Sequence, residues 1–142
     1  MDTTAIEARN LQKRYGQITA VAGIDLAVKR GEIFGLVGAD GAGKTTTIQM
    51  LCTLSRPSAG EARVLGMDTV KQAESIKPKI GYMSERFSLY ATLTVEENLD
   101  FFARLRRVPR ELVEQRKKEL LEFSRLELFR HRLAEQLSGG MQ

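Results

Sequence analysis

Apolar and polar positions alternate with period two along Ile24, Asp25, Leu26, Ala27 and Val28, which predicts a strand with one buried face, and the first stretch of the chain as a whole reads as β. Lys29-Arg30-Gly31-Glu32 breaks the alternation as a polar turn. Ile33-Phe34-Gly35-Leu36-Val37 is then apolar without alternation, the pattern of a strand buried on both faces in a parallel sheet. A glycine-rich loop follows, and Thr45 to Leu51 opens a helix, with threonines tolerated because they fall in the first turn. Ser55-Arg56-Pro57-Ser58-Ala59-Gly60 is a turn, Glu61 to Leu65 a short strand, and Lys79 to Met83 a further strand. From Leu93 the period changes. Thr94 and Glu97 form a capping-box pattern at the start of a helix from Val95 to about Arg106, which Pro109 ends. A second helix is predicted from about Arg110 to Ser124, with Leu112, Val113, Leu120, Leu121 and Phe123 on its apolar side, and Leu126 to Leu137 as another helical piece. The order is β-rich over about residues 1–90 and helical over about 91–142.

A length of 142 residues suffices for one modest domain, and 42% hydrophobic with 28% charged residues is ordinary for a globular protein. No stretch approaches the roughly 18 consecutive apolar residues of a membrane helix, and Met1-Asp2-Thr3-Thr4 has no basic segment followed by an apolar run. A cytosolic location is the expectation. Cys52 is the lone cysteine, which excludes an intrachain disulfide and reads as a small core side chain. His131, between Arg130 and Arg132, reads as a solvated helix residue. The net charge of +4 permits contact with nucleic acid or anionic lipid without requiring it. The densest basic run, Arg116-Lys117-Lys118, has Glu114 four residues before Lys118, a spacing that suits a solvated, ion-paired face.

Candidate chemistry concentrates at Gly38-Ala39-Asp40-Gly41-Ala42-Gly43-Lys44-Thr45, which meets the pattern G-x-x-x-x-G-K-[ST]. Glycines permit backbone angles that a Cβ forbids and let the chain approach an oxyanion closely. Successive N–H groups then form an anion nest, reinforced by the positive end of the helix that starts there. Lys44 supplies a full charge for β- and γ-phosphates, and the Thr45 hydroxyl is a hard oxygen ligand suited to Mg²⁺. The guanine-reading pattern Asn-Lys-x-Asp does not occur. At the other end, Leu137-Ser138-Gly139-Gly140-Met141-Gln142 offers a hydroxyl and freely placed N–H groups, a second anion-binding arrangement.

The two motifs together resemble the ATP-binding domain of ABC transporters, from about Ile6 to Gln142. Gly38–Thr45 looks like the Walker A loop, with Thr46 beside it, and Leu137–Gly140 like the Leu-Ser-Gly-Gly signature; Met141 stands where glutamine is commoner, a variant familiar in bacterial export-type members. Tyr15 sits where the family places a ring that stacks on adenine. Ile80 to Glu85, then Phe87, Leu89, Tyr90 and Leu93 to Leu99, resemble the surroundings of the Q-loop. The implied fold is α/β: a P-loop NTPase core with an antiparallel β subdomain and a helical subdomain, the C-terminal part of the core being absent from these residues. The implied function is coupling of ATP binding and hydrolysis to export through a membrane permease, in a head-to-tail dimer where Ser138, Gly139 and Gly140 reach the γ-phosphate held by the partner's Lys44. The implied cofactors are ATP and Mg²⁺, the place is the inner face of the cell membrane, and no nucleic acid is expected. The alternatives are a soluble ABC-type ATPase acting on nucleic acid or ribosomes, and a non-hydrolysing ATP-binding remnant.

Two departures stand out. Glu85 occupies the Q-loop position, where the family has glutamine. A carboxylate there still ligates Mg²⁺ but repels the triphosphate, by on the order of 4 kcal/mol at 4 Å and an effective dielectric near 20 before the cation offsets it. The family's Walker B aspartate, catalytic glutamate and switch histidine follow the signature and are not among these residues, so weak or no hydrolysis is expected of the 142 residues alone.

Overall fold

The computed structural model describes residues 4–85 and 89–142. The chain divides into two units, Met1–Met83 and Ser84–Gln142.

The first unit is built on an antiparallel sheet with strand order β2-β1-β3-β4, comprising β1 (Thr4–Tyr15), β2 (Ile18–Lys29), β3 (Ala59–Val64) and β4 (Met67–Asp68). In β2 the alternating residues Ile24, Leu26 and Val28 all face inward relative to Asp25 and Ala27, as the pattern predicts. In β1 the inward residues Ala8 and Leu11 are three apart, not two or four. A bulge accounts for the spacing: Asn10 takes a left-handed φ of 44°, and its N–H donates to Asp25 Oδ1 at 2.9 Å. Ala8 and Leu11 then meet Val21, Ala62 and Met50 in one core cluster.

Met50 comes from helix α1 (Lys44–Leu51) and is fully buried, with Thr47 one turn earlier at 2% exposure. Burial of such a side chain contributes roughly 2 kcal/mol, and it holds α1, and therefore the loop before it, against the sheet. A short helix α2 (Ala73–Ile76) and a 3-10 turn Lys77–Lys79 complete the unit.

The strands expected at Ile33–Val37, buried on both faces, and at Lys79–Met83 do not form. Ile33 is 100% and Val37 and Met83 are each 94% exposed, and neither segment joins the sheet. A doubly buried strand is stabilised by neighbours on both edges and layers on both faces. Among the described residues nothing supplies these for either run.

The second unit packs α3 (Val95–Leu105) with α4 (Arg110–Ser124) and the 3-10 turns Glu127–Phe129 and Ala134–Gln136. The capping box is present: Glu97 N–H donates to Thr94 Oγ1 at 3.2 Å, and Thr94 N–H to Glu97 Oε2 at 2.8 Å. The Val95 and Glu96 N–H groups donate to the carbonyls of Arg132 and Arg130, so the first turn of α3 is satisfied. The core is Val95, Leu121 and Leu137, with Leu99, Leu126, Phe129 and Met141 around it.

Three helical expectations are corrected here. Residues 126–137 form two 3-10 turns in place of a helix, because their carbonyls and N–H groups bond across to the segment 91–96, as in Ala134 N–H to Leu93 O and Glu135 N–H to Ala91 O. On α4 the inward row is Val113, Lys117 and Leu121, while Leu112, Leu120 and Phe123 are 41%, 52% and 90% exposed. Lys117 is thus not solvated. Its side chain is 7% exposed, and its Nζ lies 2.7 Å from Glu114, 2.9 Å from Asp100 and 3.2 Å from Glu96. His131 does have an exposed side chain, but it sits in a turn and not in a helix.

Glu96 also pairs with Arg130, whose Nη2 is 2.5 Å away. That bond, with help from Lys117 and against a partial burial penalty, holds the Glu96 carboxyl down to about 2 from its ordinary 4.5. Burial alone pulls the Lys117 ammonium down, but its bonds to Glu114, Asp100 and Glu96 raise it above the ordinary lysine value. A carboxylate with a depressed folded-state pKa contributes stability in full above 4.5 and loses it as pH falls toward 2. We expect the unfolding free energy of the second unit, from urea titrations, to decline across that window by about 2 kcal/mol after solvent screening. Glu96→Gln should flatten the decline, and an equal acid dependence in that variant would refute the assignment.

Candidate functional site

The loop Gly38–Thr45 joins the extended segment after β2 to α1. Gly41 and Gly43 have φ of +77° and +85°, a region that L side chains rarely adopt. Gly43 is the N-cap of α1 and makes no side-chain cap hydrogen bond. It also passes β2 at backbone distance: a Cβ there would lie 2.3 Å from Ala20 O and 3.0 Å from Val21 Cγ2. At Gly38 a Cβ would meet Ala42 Cβ at 3.3 Å. The loop is tied by Ala42 N–H to Ala39 O at 3.2 Å, and α1 starts with Thr47 N–H to Gly43 O at 2.8 Å.

Lys44 curls over its own loop. Its Nζ donates to Gly38 O and Ala39 O, both at 2.7 Å. The ammonium is therefore already held at the concave side of a glycine-rich turn by neutral acceptors, which an anion of higher charge density can displace. Ala39, Asp40 and Gly41 are exposed, and Thr45 and Thr46 are half-buried in the first turn of α1.

Tyr15 ends β1, next to the two-residue turn into β2, and is 49% exposed. Lys13 Nζ lies 4.9 Å from its ring centroid and also donates to Arg56 O at 2.6 Å. Glu85, exposed, belongs to the second unit, as do Ser138, Gly139 and Gly140; Phe87 lies outside the described residues.

Ser138 heads a turn in which its carbonyl accepts from Met141 N–H at 2.9 Å and from Gln142 N–H at 3.1 Å. Leu137 and Met141 anchor that turn in the core of the unit. Gln142 Nε2 adds bonds to Ala134 O at 2.8 Å and Leu137 O at 3.1 Å. A Cβ on Gly140 would meet nothing within 4 Å, so this chain's own packing does not demand glycine there.

Comparison with known proteins gives the family. The family model described as ABC transporter matches residues 21–142.

The chain belongs to the ABC transporter family.

This ABC chain is 51% identical over 100 residues to "Probable multidrug ABC transporter ATP-binding protein YbhF" of Escherichia coli, covering 70% of the chain and 17% of that protein. It is 39% identical over 142 residues to "Daunorubicin resistance ATP-binding protein DrrA3" of Streptomyces coeruleorubidus, covering 100% of the chain and 45% of that protein. Among solved structures, a bacterial ABC transporter cassette determined as a dimer aligns with TM-score 0.81 and 28% identity, over 96% of this chain and 64% of that one. The chain thus spans less than half the length of these curated relatives. The mixed α/β architecture is that of ABC cassettes.

Sequence reasoning missed two residues that shape the ABC chain's second unit. Asn98, 3% exposed, accepts from Tyr90 N–H at 2.9 Å and donates through Nδ2 to the carbonyls of Tyr90, Leu93 and Thr94. It pins residues 90–94 to α3. Lys117 is the other, and its signal was present: Val113, Lys117 and Leu121 share one i, i+4, i+8 row.

Proposed function

We propose that this chain is the ATP-holding part of an export-type ABC transporter subunit. The observation that carries the reading is the glycine loop: two left-handed glycines, one of them against the Ala20 carbonyl, and the Lys44 ammonium gathered over the Gly38 and Ala39 carbonyls. Backbone N–H groups of Ala39 to Thr46 and the Lys44 charge would take the β- and γ-phosphates. Tyr15 would stack on the adenine. Thr45 and Glu85 are the oxygen donors that would hold Mg²⁺, which supplies charge neutralisation between the phosphates. Titration calorimetry of the chain with ATP, ADP and AMP in the presence of Mg²⁺ tests the reading. Affinity should fall in that order, and equal affinity for AMP and ATP would exclude phosphate-led binding.

Ser138, Gly139 and Gly140 are assigned to a second ABC domain's ATP in a head-to-tail dimer, supported by the openness around Gly140. Export through a membrane permease at the inner face of the membrane is supported by the relatives' names, two of which specify resistance or multidrug ATP-binding proteins. Among the described residues no helix is long and apolar enough to cross a membrane. The reading for these 142 residues is ATP binding, and hydrolysis is assigned to the whole domain.

In such a protein Glu85→Gln should lower the Mg²⁺ concentration needed for half-maximal hydrolysis, because the replaced carboxylate repels the triphosphate until the cation offsets it. ATPase rates measured across a Mg²⁺ series would show this. Superimposable curves for the two proteins would sink the idea.

A further inference from the structure

We propose that the turn joining α3 to α4 is a contact surface for anionic phospholipid. Arg104, Arg106, Arg107 and Arg110 fall within seven positions, and all four are exposed. Among the described residues none of the four side chains has an ion-pair or hydrogen-bond partner. The carboxylates nearest in the adjoining groove, Asp100 and Glu114, are taken by Lys117 at 2.9 and 2.7 Å. Glu111 is the remaining acidic residue beside the turn. The chain has 22 basic and 18 acidic residues, so these four arginines equal its entire positive excess.

The turn is ordered by its own backbone. Arg106 N–H donates to Phe102 O, Arg107 N–H to Arg104 O and Val108 N–H to Ala103 O, with Arg107 in the left-handed region at φ 54°. Leu105, 62% exposed, sits among the arginines. Planar guanidinium groups suit phosphate oxygens in pairs, and an aliphatic side chain among them suits the boundary between headgroups and acyl chains. A nucleic-acid surface would instead call for exposed rings on which bases stack. The rings near this turn, Phe101 and Phe102, are half-buried and packed edge-on with each other, and Phe101 also packs edge-on with Tyr90.

The test is co-sedimentation of the chain with vesicles of phosphatidylcholine, with and without phosphatidylglycerol. No nucleotide is involved, so this proposal and the ATP reading fail separately. Preferential binding to the anionic vesicles is expected. Each basic residue near such a surface contributes about fivefold, so changing Arg104, Arg106, Arg107 and Arg110 all to Gln should weaken binding roughly several-hundred-fold. A second variant changes Arg30, Lys71, Lys79 and Arg125, all exposed, to Gln and carries the same net charge; it should bind more than tenfold better than the first. Leu105→Ala should weaken binding about fourfold for each methylene that inserts. The proposal is overturned by equal binding to neutral and anionic vesicles, or by equal losses in the two charge variants. It is overturned too if the turn variant loses binding to a single-stranded oligonucleotide while keeping its affinity for vesicles.

Discussion

Replacing Lys44 with alanine is expected to weaken ATP binding about 100-fold while leaving the fold intact. The side chain is half-buried, and its two acceptors are exposed carbonyls that water can satisfy. The stability cost is therefore small, within about 0.5–1.5 kcal/mol for exchanging such bonds with solvent. The binding cost is larger. Phosphate oxygens brought into the loop would lose their one full positive charge, and truncating a partner of such a pair costs about 3 kcal/mol, which is two orders of magnitude in affinity. Lys44→Arg keeps the charge and should fall between the two, because a forked guanidinium does not fit two carbonyls 2.7 Å from a point charge. Calorimetry with ATP and urea unfolding on the same samples separate the two effects. Unchanged affinity in Lys44→Ala would remove the loop from the site.

The second large effect is expected at Gly43. Alanine there must adopt φ near +85°, which costs about 1–2 kcal/mol by itself. Its methyl group would also lie 2.3 Å from Ala20 O. Ala20 stands unpaired at an irregularity of β2, but its neighbours Thr19 and Val21 pair with Arg14 and Lys13 of β1, which leaves its carbonyl little room to move aside. The helix α1 must lift instead, pulling Met50 and Thr47 from their buried places. We expect Gly43→Ala to destabilise the first unit by about 3 kcal/mol or more and to abolish ATP binding. Gly41→Ala is the control. Its φ is +77° but no atom lies within 4 Å of the added Cβ, so only the backbone term of about 1–2 kcal/mol applies. Equal unfolding midpoints for the two variants would show that the approach to Ala20 does not matter.

Much of the site was readable before folding was considered. The loop pattern Gly38, Gly43, Lys44 and Thr45 is a matter of spacing along eight consecutive positions, and in the structure Gly43, with Gly41 inside the loop, has a positive φ. The capping box at Thr94 and Glu97 is equally local and formed as read. Helix limits at Val95–Leu105 and Arg110–Ser124 followed from the same short-range signals. Assigning a side of α4 failed because leucines and a phenylalanine were counted as inward by type. Phe123 is 90% exposed, and Lys117 occupies the inward place between Val113 and Leu121. A buried ammonium is stable there only because Glu114, Asp100 and Glu96 surround it, and two of those come from another helix.

The chain's sequence by itself determined the glycine-loop pattern, the alternation in β2 and the capping box of α3. Each depends on residues within one turn or one strand, where covalent geometry limits the choices. Tertiary structure decided the rest. It set whether Ile33–Val37 becomes a strand, since pairing needs neighbours that no local pattern can supply. It turned residues 126–137 into two short turns through bonds to residues 91–96. It also made Gly43 indispensable for a second reason, the passage of β2 at 2.3 Å from where a Cβ would stand. A motif can specify that a glycine is needed for a phosphate; only the packed sheet shows that the same glycine is needed for the helix to reach it.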